Sequence, residues 1–238
     1  MYVALGDSVA AGDGLPEPTD SSACNRSNES YPNIVASSLK LDLKSLACSG
    51  ATISEGILSS QMVNGLAVVP QMTQLAGLQK VSLVTLTVGA NDVDWAGTIT
   101  KCFTSECGTP EDTARQAKKT TQLTADLHRV LDGMKAQPKV IVTGYYQLVP
   151  ASQQTCVTPI GVTDKESFWL RTQEEALNKA IQDTTRSYKF AMFADPDFSG
   201  HELCTKEPWI QDLQDKAPFH PTAAGQNAVA QTVINSYH

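Results

Sequence analysis

Five short β-prone runs, each closed by glycine, proline or a polar turn residue and separated by stretches with helical spacing, constrain this chain more than any other feature. The runs are Tyr2–Leu5, Leu41–Leu46, Val81–Val88, Lys139–Tyr145 and Phe190–Ala194. They are dense in Val, Leu, Ile, Ala and Thr, as buried strands are. Between them, Pro110-Glu111-Asp112 opens a segment that brings Leu123, Leu127, Val130, Leu131 and Met134 onto one helical face. Asp164–Tyr188 carries Phe168, Leu177, Ala180 and Ile181 among charges, and Thr222–Tyr237 repeats Ala224, Ala228, Val229 and Val233 at helical spacing. Strands that alternate with helices pair in parallel through right-handed crossovers. The pattern therefore predicts an α/β fold, a three-layer α/β/α sandwich around a mainly parallel five-stranded sheet. No internal repeat or linker-like break divides residues 1–238, and we expect a single domain.

Composition narrows the function classes. The formal net charge of -7 opposes binding to nucleic acid and gives no help on an anionic lipid surface, so any lipid contact must be apolar. No run approaches the roughly 18 apolar residues of a membrane span. Cys24, Cys48, Cys102, Cys107, Cys156 and Cys204 are scattered, even in number and nowhere arranged as C-x-x-C, which favours disulfides and an oxidising compartment over a zinc site. Spacing alone leaves their connectivity open. Met1 leads straight into a strand-like run, and we read the chain as a mature domain whose export signal has been trimmed, hence secreted.

In parallel sheets the ligand site lies beyond the carboxyl ends of the strands, and that is where the reactive residue types fall. Gly6-Asp7-Ser8 follows the first run, Ser49-Gly50-Ala51 the second, and Gly89-Ala90-Asn91-Asp92 the third. A serine at a strand-to-loop turn can present its hydroxyl with its own N–H free. Glycine lets the backbone approach a ligand closely, and an Asn amide can donate to a developing oxyanion. His220 lies between Pro218 and Pro221, just before the last helix. Each piece alone is ordinary: Gly-Asp-Ser is a common turn, Asn91 fits an Asx-turn, and a loop histidine is usually just polar surface.

In this order and spacing the four pieces resemble the sequence blocks of SGNH (GDSL-type) hydrolases, over nearly the whole chain. The run Ala11-Gly12 to Tyr31-Pro32 and the six cysteines are similar to secreted actinobacterial lipases and esterases of that family. The resemblance implies a flavodoxin-like SGNH hydrolase fold, Ser8 as nucleophile, His220 as general base, and an oxyanion hole from the Ser8 and Gly50 N–H groups and the Asn91 amide. With the short loops it closes, it also implies the sequential disulfides Cys24–Cys48, Cys102–Cys107 and Cys156–Cys204. It implies no cofactor and no metal, and the substrate would be a small-molecule or lipid ester handled by a monomer.

One position departs from the family pattern. Many members carry Asp three residues before the histidine, where this chain has Ala217. The Ala217 carbonyl, or that of Pro218, is our expected partner for the imidazole, with Asp215 the alternative. A carbonyl fixes the tautomer but stabilises an imidazolium less than a carboxylate does. Asp7 and Asp92 are expected to hold turns through hydrogen bonds, and Trp95, Trp169 and Trp209 are candidates for an acyl groove. The expected activity is that of a serine esterase or lipase, phospholipase action included. The alternatives are a carbohydrate acetyl esterase of the same fold and a binding protein with a decayed site.

Overall fold

The computed structural model describes residues 1–16, 18, 24–137, 139–152, 154, 156 and 161–238. Its elements run β1 (Tyr2–Gly6), α1 (Ser8–Ala11), α2 (Tyr31–Leu39), β2 (Leu43–Ser45), β3 (Gln61–Val63), β4 (Leu66–Val68), α3 (Gln71–Ala76), β5 (Leu83–Thr87), α4 (Trp95–Thr104), α5 (Pro110–Gly133), β6 (Val140–Thr143), α6 (Asp164–Arg186), β7 (Ala191–Ala194) and α7 (Ala223–Tyr237). The five expected strands form one parallel sheet in the order β2-β1-β5-β6-β7, with β1 and β5 paired from Tyr2↔Leu83 to Gly6↔Thr87. This is the doubly wound order in which the chain leaves the centre of the sheet in both directions and opens a crevice at the switch point, between β1 and β5.

Helices cover both faces. α2 packs with α7, and α5 with α6. The two long helices begin on capping boxes, with Thr109 and Asp112 reciprocally bonded at α5 and Thr163 and Glu166 at α6. The sheet face under α2 carries a buried chain of hydroxyls: Tyr2 to Thr85 at 2.7 Å, Tyr31 to Thr87 at 2.8 Å, and Thr87 to Thr143 at 2.7 Å. These threonines alternate with Val84 and Leu86, so β5 is polar toward α2 and apolar toward the opposite face, where the wholly apolar core lies.

Six elements were not anticipated: α1, α2, β3, β4, α3 and α4. α2 follows Ser30 as its N-cap residue, with Pro32 in its first turn. β3 and β4 form a separate hairpin closed by Asn64-Gly65, with φ values of 50° and 79°. Positive φ at both central residues is what a two-residue hairpin turn requires, and Asn-Gly is its strongest sequence signal. α3 and α4 are short and lie in the connections that flank the crevice. The cysteines are joined as Cys24–Cys48, Cys102–Cys107 and Cys156–Cys204. The first ties the segment after α1 to the end of β2, and the second closes the turn after α4.

Candidate active site

The site begins where β1 stops. Gly6 has φ of +143°, and a Cβ there would lie 2.3 Å from the Thr87 carbonyl oxygen, so only glycine lets β1 run this close to β5 at its last residue. Gln71 on α3 pairs both backbone groups of Gly6: its Oε1 accepts from Gly6 N at 2.8 Å and its Nε2 donates to Gly6 O at 2.9 Å. Asp7 then caps α1, accepting from Val9 N at 2.9 Å. This leaves Ser8 on the first turn of the helix, 9% exposed, its N–H donating to no acceptor among the described residues.

Ser8 Oγ lies 2.7 Å from His220 Nε2. The histidine reaches it from a loop pinned by Gln211, whose main chain pairs with the loop on both sides (Gln211 N to His220 O, 2.7 Å; Phe219 N to Gln211 O, 2.9 Å). The buried Gln211 side chain donates to Asp13 O and Pro221 O and accepts from Ala217 N, tying the histidine loop to the segment behind Ser8.

The group beside Nδ1 is the Pro218 carbonyl at 3.0 Å, the second of the two expected carbonyls, in place of the Ala217 carbonyl or the Asp215 carboxylate. Phe219 is left-handed, with φ of 71°, and this turns the Pro218 carbonyl toward the ring while the Ala217 carbonyl accepts the main-chain N–H of His220. Asp215 is committed elsewhere, accepting from Asp212 N at 2.7 Å in an exposed turn. A left-handed phenylalanine is costly and must be held. Here Tyr146 O–H donates to Phe219 O at 2.8 Å, and the Phe103 ring packs on the Phe219 ring at 5.6 Å. With Nδ1–H donating to the Pro218 carbonyl, Nε2 is left to accept the Ser8 proton.

Asn91 lines the same cleft as Ser8 and His220. One of its amide N–H bonds donates to Ala51 O at 2.9 Å, fixing the side chain and leaving a second N–H available. Gly50, with φ of 79°, donates its N–H to no acceptor among the described residues, but it does not line the cleft; the next residue, Ala51, is the one that bonds Asn91.

Beneath these groups, Asp7 is wholly buried. Burial pushes its carboxyl up to about 7, against the opposing hydrogen bond that Tyr145 O–H donates to Oδ2 at 2.6 Å. The same Tyr145 oxygen accepts from Ala90 N at 3.0 Å, so one phenol joins the Ser8 turn to the Asn91 loop. Asn178 on α6 holds Tyr145 through both of its backbone groups, at 2.8 and 2.6 Å. Burial likewise raises Asp92 to about 6, while its Oδ1 accepts from Ile53 N at 2.9 Å. Both aspartates thus bond the backbone of the turns they sit in or beside.

The cleft encloses about 70 Å³ and is mostly apolar, with Val9, Trp95, Ile99, Tyr146, Leu148 and Phe219 in its wall. Of the three tryptophans only Trp95 lines it; Trp169 donates to Thr113, and Trp209 stacks on His201. Among the described residues no group of three or more His, Cys, Asp or Glu is placed to hold a metal ion, and no helix is long and apolar enough to cross a membrane. Sequence reasoning missed Gln71, Asn178, Gln211 and Gln226, the buried amides that lock the loops. Their one sequence signal is an uncharged polar residue where an apolar neighbour is expected, as at Gln226 in the Ala-rich α7.

Comparison with known proteins places this geometry. Residues 4–228 match the GDSL-like lipase/acylhydrolase family. A lipase from Streptomyces rimosus is 31% identical over 250 aligned residues, covering 99% of this chain and 85% of that protein. The crystal structure of extracellular lipase from Streptomyces rimosus superposes with a TM-score of 0.81 at 29% identity, over 99% of this chain and 98% of the other. That of phospholipase A1 from Streptomyces albidoflavus NA297 gives 0.79 at 28%, with the same coverage. The chain belongs to the GDSL-like lipase/acylhydrolase family and is a carboxylic ester hydrolase of the SGNH fold.

Proposed function

We propose that the chain is a lipolytic serine hydrolase, secreted and acting as a single-domain monomer, that works through a Ser8–His220 dyad oriented by the Pro218 carbonyl. The observation that carries this reading is the 2.7 Å Oγ–Nε2 contact, with Nδ1 on a backbone acceptor. In the first half-reaction His220 Nε2 takes the Ser8 proton as Oγ bonds to the ester carbonyl carbon. The oxyanion is met by the Ser8 N–H and the free Asn91 N–H, with the Gly50 N–H as a third donor. His220 returns the proton to the departing alcohol, leaving an acyl-enzyme on Ser8. Water, deprotonated by the same imidazole, then releases the acid.

A backbone carbonyl fixes the productive tautomer but carries no full charge to balance the imidazolium. The apolar cleft wall supports an acyl chain of more than acetyl length, and the three disulfides and the extracellular relative support export. The test is a series of p-nitrophenyl esters from acetate to palmitate. Turnover should peak at medium or long chains and fall by roughly 10⁴-fold or more in Ser8→Ala and in His220→Ala. A peak at acetate would instead favour an acetyl esterase, and turnover surviving in Ser8→Ala would refute the dyad.

A further inference from the structure

Gln61, the first residue of β3, is an amide buried where an apolar side chain would pack at lower cost. It is 7% exposed, and its Oε1 accepts no hydrogen bond among the described residues. Packing alone does not account for such a residue, because a half-paired buried amide is destabilising. Its side chain makes one directed bond, in which Nε2 donates to Ser49 O at 2.7 Å. Room for it comes from Gly56, whose φ is +103° and where a Cβ would lie 2.9 Å from Gln61 Oε1 and 2.7 Å from the Ala51 Cβ.

The carbonyl that Gln61 holds and the Gly50 N–H belong to one peptide unit. A trans peptide is planar, with its C=O and N–H pointing in opposite directions. Fixing Ser49 O therefore fixes the direction of the Gly50 N–H, which donates to no acceptor among the described residues. One residue on, Ala51 is buried and its carbonyl accepts from the Asn91 amide at 2.9 Å. The same loop is tied to the Ser8 turn, since Gln71 donates its main-chain N–H to Gly56 O at 2.8 Å while its side chain pairs both backbone groups of Gly6. The segment that Gln61 braces thus links the three donors of the proposed oxyanion hole.

We propose that Gln61 is a positioning residue for the oxyanion hole, holding the Ser49–Gly50 peptide so that the Gly50 N–H and, through Ala51, the Asn91 amide keep their aim on the developing oxyanion. This rests on the Ser8 acyl-enzyme reading of the site. Gln61 touches no substrate. It acts on the rate because the donors it braces bond an oxygen whose charge develops in the transition state.

Two variants separate this role from packing. Gln61→Glu keeps the shape of the side chain and makes its hydrogen bonding depend on pH. Protonated, the introduced carboxyl donates to Ser49 O as the amide does; ionised, it can only accept, and it repels that carbonyl. Burial carries its titration above the usual carboxylate range. The kcat of Gln61→Glu on a water-soluble butyrate ester, taken as a ratio to wild type so that the His220 titration cancels, should stay within about twofold at about pH 5 and fall at least about tenfold by about pH 9. Gln61→Met, which has no donor, should lose about tenfold in kcat at every pH, with KM within about twofold. A trifluoromethyl ketone, which forms an oxyanion on Ser8, should bind each variant more weakly by the factor that its kcat falls.

A Gln61→Glu ratio that does not change with pH, full kcat in Gln61→Met, or an unchanged ketone affinity would overturn the positioning role and leave the hydrolase reading standing. A loss confined to KM would overturn it too, by placing Gln61 in substrate binding. If Gln61→Met does not unfold cooperatively in urea, the isosteric Gln61→Glu decides. Absence of turnover in the wild type, or turnover that survives in Ser8→Ala, would instead overturn the reading of the site on which the role rests.

Discussion

Replacing Tyr145 by phenylalanine removes one oxygen atom from the junction of two active-site loops. That oxygen donates to the buried Asp7 carboxylate at 2.6 Å and accepts from Ala90 N at 3.0 Å. Above about pH 7 the Asp7 carboxyl ionises. The variant then loses a hydrogen bond to a charged group, about 1.5–3 kcal/mol, and leaves the Ala90 N–H unpartnered, a further cost of about 1–3 kcal/mol. At about pH 5 Asp7 is protonated, and only a neutral hydrogen bond and the orphaned N–H are at stake. Because the phenol O–H favours the charged form, its loss raises the Asp7 pKa further, so the stability gap between the proteins should widen as pH climbs through 7.

Urea unfolding of both proteins at about pH 5 and about pH 8.5 reads this directly. The expected difference in unfolding free energy is about 2 kcal/mol at the lower pH and about 4 kcal/mol at the higher. An equal loss at both would mean that Tyr145 does not stabilise ionised Asp7, and would refute the argument. On a soluble ester the variant should lose kcat by about tenfold with little change in KM, because the Asn91 loop loses its tether to the Ser8 turn while the apolar wall stays in place.

Two further outcomes follow from the same geometry. Asn91→Ala should lower kcat roughly a hundredfold and leave KM nearly unchanged in initial-rate kinetics, since in the proposed mechanism its free N–H serves the transition state and the cleft wall binds substrate. Wild-type stability should peak near pH 4–5 in urea melts. Burial raises Asp7 to about 7, Asp92 to about 6 and Glu174 to about 8, so their contributions are complete below the unfolded carboxyl range and lost as pH rises through those values. Asp112, held down to about 2 despite burial by hydrogen bonds from Lys101 and Arg115, works the other way, and its contribution is lost as pH falls toward 2.

The sheet was legible because its central strands are compact buried runs: Tyr2–Gly6, Leu83–Thr87 and Val140–Thr143 are buried at every position. The long helices were legible because their apolar faces persist for several turns. α4 escaped notice because its β-branched Thr98, Ile99 and Thr100 read no more as helix than as strand, and tertiary packing decided the matter. The hairpin escaped notice although Asn64-Gly65 announced it, since its apolar residues face outward and so mimic no core pattern. Ser8, Asn91 and His220 could be named because side-chain chemistry at strand ends leaves a mark on the sequence. The choice between the two expected carbonyls beside His220 left none. A carbonyl belongs to every residue, and the choice of Pro218 depends on the φ of Phe219, which Tyr146 and Phe103 impose from distant parts of the chain.

Ser8 and His220 are separated by 212 positions, and the links that bring them together span the chain as well. Gln211 reaches Asp13, and Gln226 on α7 donates to Val9 O at 3.0 Å and accepts from Tyr31 N at 2.7 Å. Closing so long a span is among the slowest events in folding. On the proposed dyad, a growing chain carries its serine from the first strand onward and has no base to activate it until the residues around 220 have been made and docked. With that dyad, activity waits on the docking of the loop before α7.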